Sequence, residues 1–390
     1  MMNLDAAIVG LGMTDLGKVY GRTGTQFAVE AIGKAAADAG LQVSDLDGLL
    51  INYGLGRDIG MPLALDLGLR DLSVLAEVQA YGSSAGVMVM QAAAAIASGQ
   101  ATAVACVFAD TPLTEGKRTG AAYADPKFRL KPGFLGVPPA GGLLGPNVGY
   151  ALAARRHMEV YGTTSEQFGH IAVSTRKWAE LNPLAQMRDP LTIEQHQESR
   201  YIVDPLHLFD CCLVSNGAIA VIVTSGQRAR DLAQPPVYVH GGAQCHPGYL
   251  EGRDSDFGLL SGAKLSGQKA MAMAGVRPDQ IGVRELYDCY SYTTLISLED
   301  YGFCEKGEGG ALAESGALAP GGSLPTNTGG GQLSGYYMWG MTPLSEAVIQ
   351  GRGQGGDRQV ADHDYVLVSG NGGILAHHST LILSPHSKEA

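Results

Sequence analysis

Ala39-Gly40-Leu41, followed by Asp45-Leu46, returns about 235 residues later as Ala274-Gly275-Val276, followed by Gln280-Ile281. In each copy a glycine, the residue best suited to end a helix, closes an Ala-rich segment, and a short apolar run comes next. Upstream, Gly24–Ala39 carries Phe27, Ala31, Ile32 and Ala35 near one face, and Ala263–Ala274 holds the matching place in the second copy. Strand-like runs precede both helices, at 6–10 and at Val237-Tyr238-Val239-His240-Gly241, and further strands follow at 46–51 and 283–286.

The echo extends further along the chain. Residues 82–99 read as a turn and an Ala-rich helix leading to a strand at 103–109, and 335–351 read as a turn and helix leading to a strand at 365–369. Runs at 219–224 and 379–383 close the two copies. The pattern predicts a duplicated α/β fold, with halves at 1–230 and 235–390 and mostly parallel sheets covered by helices on both faces. One segment, about 111–208, breaks the repeat. It holds a Gly/Pro-rich loop at 131–146 and helices near 150–161 and 165–181, and its length predicts a functional insertion over a site.

Composition narrows the function. The 390 residues are 45 % hydrophobic and 17 % charged, enough apolar material for a large core. A net charge of −11, with no basic run, argues against nucleic acid as a partner. The six cysteines are scattered without a CxxC pair, so neither a disulfide framework nor a metal site is expected. The chain opens directly into an apolar strand, and its longest apolar stretch, 85–97, is too short to span a bilayer. These features predict a cytoplasmic protein without a membrane span.

Four stretches carry a family resemblance: Tyr161-Gly-Thr-Thr-Ser-Glu-Gln-Phe, Leu181-Asn-Pro, Asp210-Cys-Cys-Leu-Val-Ser-Asn-Gly-Ala and Asn371-Gly-Gly-Ile-Leu-Ala-His-His-Ser-Thr. With the duplicated halves, they resemble the thiolase superfamily, in its sterol-carrier-type and lipid-transfer-protein branch. The resemblance covers nearly the whole chain and implies the five-layered αβαβα thiolase fold, with the active site between the halves. At four places where that family carries its chemistry, however, this sequence differs. The nucleophile turn reads Tyr81-Gly82-Ser83-Ser84, with Gly82 at the cysteine position. The Asn-Glu-Ala-Phe stretch aligns with Tyr287-Asp288-Cys289-Tyr290, and the Gly-His-Pro stretch with the region of Gly335-Tyr336-Tyr337-Met338. The second cysteine motif reads Ser369-Gly370-Asn371-Gly372-Gly373.

Loss of both cysteines and the usual histidine excludes ordinary thiolysis through a thiolate. Tyrosines at two of the four positions resemble the aldolases of steroid side-chain breakdown, which need no covalent acyl-enzyme. The resemblance implies retro-aldol cleavage of a bulky β-hydroxyacyl-CoA from a steroid or bile-acid side chain, with Tyr287 and Tyr337 as the acid/base pair. Of the adjacent His377 and His378, which point to opposite sides of an extended chain, His377 is the candidate to orient the substrate or a tyrosine, a packed core histidine being the alternative, and the backbone at Gly82, Ser83, Gly372 and Gly373 offers candidate oxyanion and substrate contacts. A CoA thioester would be the substrate, with no bound cofactor. A homodimer pairing through 103–109 and a separate zinc-ribbon/OB-fold partner protein are further implications. Two other readings stand beside this one: a non-catalytic acyl-CoA-binding scaffold, and an acyltransferase that uses Ser83. Most of the 16 tyrosines serve packing, and Tyr290 and Tyr336 would be the actors if the alignment slipped.

Overall fold

A computed structural model describes residues 5–56, 58–124, 136–143, 145–248 and 256–388. Part of the Gly/Pro-rich loop, 131–135 and 144, lies outside the described residues. The first half contains β1 (Ala6–Met13), α1 (Gly24–Ala39), β2 (Gly48–Tyr53), β3 (Val74–Glu77), α2 (Ser84–Ala97) and β4 (Ala103–Asp110). The insertion contributes α3 (Pro146–Tyr161) and α4 (Ser165–Glu180), and β5 (Gly217–Ser225) completes the half. The second half contains β6 (Val237–Cys245), α5 (Ala263–Ala274), β7 (Val283–Glu285), α6 (Ser291–Asp300), α7 (Met341–Gly351), β8 (Val366–Gly372) and β9 (His377–Ser384).

Local chemistry sets the helix limits as the sequence predicts. Thr23 Oγ1 accepts the Gln26 N–H at 3.1 Å while Gln26 Oε1 accepts the Thr23 N–H at 3.0 Å, a reciprocal cap on α1. At their far ends, α1 and α5 stop at Gly40 (φ 75°) and Gly275 (φ 74°), left-handed positions that glycine occupies without strain.

The strand order is β3-β2-β4-β5-β1-β6-β9-β8-β7, nearly a mirror image about the β1–β6 seam. Among the described residues, the outermost strand, β3, is the one strand of this sheet without a counterpart. Three pairings are parallel, β2 with β3, β2 with β4, and β7 with β8, and the other five are antiparallel. The expectation of mostly parallel sheets therefore fails. Residues 373–376 joining β8 to β9 are too few for the helical crossover that parallel neighbours require.

Side-chain alternation makes the layers. In β4, Ala103, Ala105, Val107 and Ala109 pack with α1, while Val104, Cys106 and Phe108 face a central core. That central core holds α2 and α7 and is lined by inner faces of both halves, including Val221, Val239, Val368 and Leu381. A third core joins α3, α4, α5 and α6 to the outer face of the second half at Ala243, Leu367 and Ile382. Helix, sheet, paired helices, sheet and helices thus succeed one another in five layers. Each fully buried Phe or Ile contributes about 1.5–3 kcal/mol.

The expected dimer strand needs correcting. Along 103–109, β4 is hydrogen-bonded to β2 on one edge and β5 on the other, so it has no edge to offer a partner. In this half the strand at the end of the sheet is β3, paired only with β2.

Candidate active site

Two loops of the second half bring the aligned tyrosines together. Beyond β7, the Leu286 N–H donates to Asn327 Oδ1 at 2.7 Å, and Thr293 Oγ1 donates to the Tyr287 carbonyl at 2.9 Å. This stitching fixes the backbone on both sides of Tyr287. Tyr337 follows a single π-helical turn, Gly331–Gly335, and its N–H donates to Ser215 Oγ at 3.1 Å. The hydroxyls of Tyr287 and Tyr337 lie 3.1 Å apart, a direct hydrogen bond between residues 50 apart in sequence.

Gly82 explains why a ring fits there. A Cβ built at Gly82 would lie 2.2 Å from Cε2 and Cζ of Tyr287 and 2.1 Å from the Asn371 carbonyl oxygen. The Tyr287 ring therefore occupies the space into which a side chain at position 82 would project. A side chain at position 82 and the Tyr287 ring exclude one another.

Burial dominates the electrostatics of the pair. It pushes the Tyr287 hydroxyl well above the usual phenol range, aided by Cys289 and opposed by the bond to Tyr337. Tyr337 is also raised, first by burial and then by Tyr287, Cys212 and Tyr123. Both groups are neutral phenols at pH 7. The neighbouring tyrosines are engaged elsewhere: Tyr290 hydrogen-bonds Asn147 and packs on Tyr150 with ring centroids 4.7 Å apart, and Tyr336 bonds Ser345 Oγ at 3.0 Å.

The remaining expected residues divide into three groups. Ser83 is fully buried, and its hydroxyl donates to the Gly370 carbonyl at 3.1 Å, joining the halves. Gly372 packs on the Gly82 turn, with its Cβ direction 2.4 Å from Tyr81 Cβ and 2.9 Å from Gly82 N, and Gly373 adopts φ 64° in the β8–β9 turn. His377 turns to His246, with Nδ1 atoms 2.9 Å apart, and stacks on Tyr81 at 5.8 Å. Desolvation and then His246 hold the His377 pKa below its ordinary value.

His378 points the other way, as alternation in an extended chain requires. Its Nε2 lies 3.0 Å from both Ser369 Oγ and the Tyr301 hydroxyl, and burial depresses its pKa to about 3. The hydroxyl standing at the second cysteine position thus joins a buried Ser369-His378-Tyr301-Thr380 cluster.

Sequence reasoning missed several groups that surround the tyrosines. Tyr150, on α3 of the insertion, is buried beside Cys289 and the backbone of Ile374 and Leu375. Tyr123 brings a second phenol from the insertion, near Asp110 and Cys212. Burial pushes the Cys289 thiol up to about 12 and raises Cys212 well above the usual thiol range, which keeps both protonated and poor nucleophiles. The insertion's length pointed to this cover, but no spacing within it singled out either tyrosine.

Comparisons with known proteins place this chain in a family. Residues 243–385 match the family described as thiolase C-terminal domain-like. The chain is 37 % identical over 385 residues to a 17-hydroxy-3-oxo-4-pregnene-20-carboxyl-CoA lyase of Mycobacterium tuberculosis, covering 96 % of this chain and 98 % of the relative. It is 39 % identical to a steroid side-chain-cleaving aldolase of Thermomonospora curvata, covering 95 % of each. Among solved structures, an Ltp2-ChsH2(DUF35) aldolase superposes with a TM-score of 0.89 at 38 % identity and covers all of both chains. The chain belongs to the thiolase superfamily, in its sterol-carrier-type and lipid-transfer-protein branch, and is a carbon–carbon lyase of that superfamily.

Proposed function

We propose that this enzyme performs a retro-aldol cleavage of a bulky β-hydroxyacyl-CoA with a steroid or bile-acid side chain, using Tyr287 and Tyr337 as a proton relay. The observation that carries the reading is the phenol pair, 3.1 Å apart in the space left by Gly82. In the reaction the β-hydroxyl loses its proton, the Cα–Cβ bond breaks to leave a carbonyl compound, and the bond pair forms a thioester enolate. A proton then returns to Cα and releases a shortened acyl-CoA. No oxidant, metal or covalent acyl-enzyme is needed for the balance.

The raised phenol pKa values favour a concerted path. One phenol accepts the hydroxyl proton as it passes its own to the other, which protonates Cα, so no phenolate accumulates. Backbone N–H groups near Gly82, Gly372 and Gly373 would stabilise the enolate oxygen, and His377 would orient the substrate at the edge of the site. The same reading takes 1–230 and 235–390 as the duplicated units. It also takes a cytoplasmic location, a homodimer and a separate zinc-ribbon/OB-fold partner. The similar solved Ltp2-ChsH2(DUF35) aldolase supports a second protein, and β3 supplies an edge for a second copy. Among the described residues, no helix is long and apolar enough to cross a membrane.

The test is turnover of a steroid β-hydroxyacyl-CoA by Y287F and Y337F, each measured with acyl-CoA binding. We expect kcat to fall by about 10²- to 10⁴-fold, the usual worth of a positioned acid or base, with binding retained. Turnover unchanged in both variants rules out the phenol relay.

A further inference from the structure

We propose that Asp288 and Ser215 are positioning residues that fix the Tyr337 hydroxyl on that of Tyr287; this rests on the relay reading above. Asp288 directly follows Tyr287 and is fully buried. Its Oδ1 accepts the Gln332 N–H at 2.8 Å and its Oδ2 accepts the Leu333 N–H at 3.4 Å, two donors of the π turn that leads into Tyr337. A Cβ at Gly331 would fall 2.0 Å from Oδ2, and Gly331 adopts φ 53°, so glycine alone lets the turn close on the carboxylate.

The grip continues on both sides of Tyr337. The Gln332 amide donates to the Trp339 carbonyl at 2.8 Å, downstream of the phenol. Ser215, buried just before β5, accepts the Tyr337 N–H at 3.1 Å and an N–H of the Gln186 amide Nε2 at 2.8 Å. One peptide segment therefore carries the first phenol and clamps the turn that presents the second. Their relative position is set across one residue rather than across the whole half. Such control matters because a misplacement of about 1 Å can cost about 10²-fold in rate.

The experiment measures D288N and S215A in the full-length enzyme, each alone and combined with Y337F, with residual rates followed by single turnover at high enzyme concentration. We expect D288N to lower kcat at least about tenfold and S215A at least about threefold, with KM within about twofold. In the Y337F background each should change the rate less than about twofold, because there is no hydroxyl left to position. Losses that repeat in full in that background, or single variants with wild-type kcat, overturn the proposal. If D288N fails to fold, S215A, which removes one oxygen, decides by the same criteria. Wild-type turnover in Y337F alone would instead defeat the relay itself, a distinguishable result.

Discussion

The two central helices begin in the same way and serve different ends. Before α2, Tyr81 (φ 51°) is followed by Gly82; before α7, Trp339 (φ 49°) is followed by Gly340. An aromatic residue in the left-handed region and then a glycine mark both starts, with the two rings 6.1 Å apart. The second turn packs on the first, since a Cβ at Gly340 would lie 2.3 Å from the Gly82 carbonyl oxygen and 3.0 Å from Ala85 Cβ. By contrast, the first turn faces the Tyr287 ring. The two turns are alike in backbone, and what fills the space beside each differs: the Tyr287 ring beside Gly82, the Gly82 carbonyl and Ala85 beside Gly340.

The largest effect that would break this comparison comes at Gly82. G82A should displace the Tyr287 ring and lower kcat at least about 10²-fold, with overpacking costing about 1–3 kcal/mol in denaturant unfolding. G340A should cost a similar stability and lower kcat much less, since its Cβ meets backbone and Ala85 rather than a phenol. Equal kcat losses in the two variants would erase the distinction between a turn that meets the phenol and one that meets backbone.

A smaller effect concerns pH. Burial raises the Asp288 pKa to about 7, against the N–H bonds from Gln332 and Leu333 and the Asn327 side chain, while Glu285, Cys212 and Cys289 face the same charge. The ionised carboxylate accepts both turn N–H groups, so kcat should decline as pH falls through about 7, and D288N should remove that limb. Stability follows the opposite sign. The folded chain holds this proton more tightly than the unfolded chain, so between about 4 and about 7 this group lowers stability as pH rises. Unfolding curves of wild type and D288N across that window provide the check.

The smallest effect is expected at Ser369. S369C restores a thiol at the family's second cysteine position, yet the side chain there bonds His378 inside the buried hydroxyl cluster. Thiolysis should stay absent, kcat should change less than about threefold, and stability should drop by about 1 kcal/mol. A gain of thiolase activity would show that this position still reaches the substrate.

Much of the fold could be read from local patterns. The helix limits at Gly40 and Gly275 follow from glycine's conformational freedom, and the five layers were implied by the family resemblance. The parallel pairing and the dimer strand were misread because strand neighbours depend on connections far along the chain. Residues 103–109 look the same in sequence whether they lie at an edge or at the centre of a sheet. Tyr287 and Tyr337 were legible as candidates through the family motifs, whereas Tyr123 and Tyr150 were not, since nothing near either residue in sequence encodes which distant side chains it meets.

The sequence by itself determined the repeated α/β pattern and, through the family resemblance, the absence of a cysteine at Gly82 and the candidacy of Tyr287 and Tyr337. Only the tertiary structure decided that the Tyr287 ring fills the space beside Gly82, that its hydroxyl meets Tyr337, and that Asp288 grips the turn between them. The physical reason is range. Capping and alternation act over a few residues, but steric exclusion and hydrogen bonding between side chains are fixed only when distant segments pack within a few ångströms.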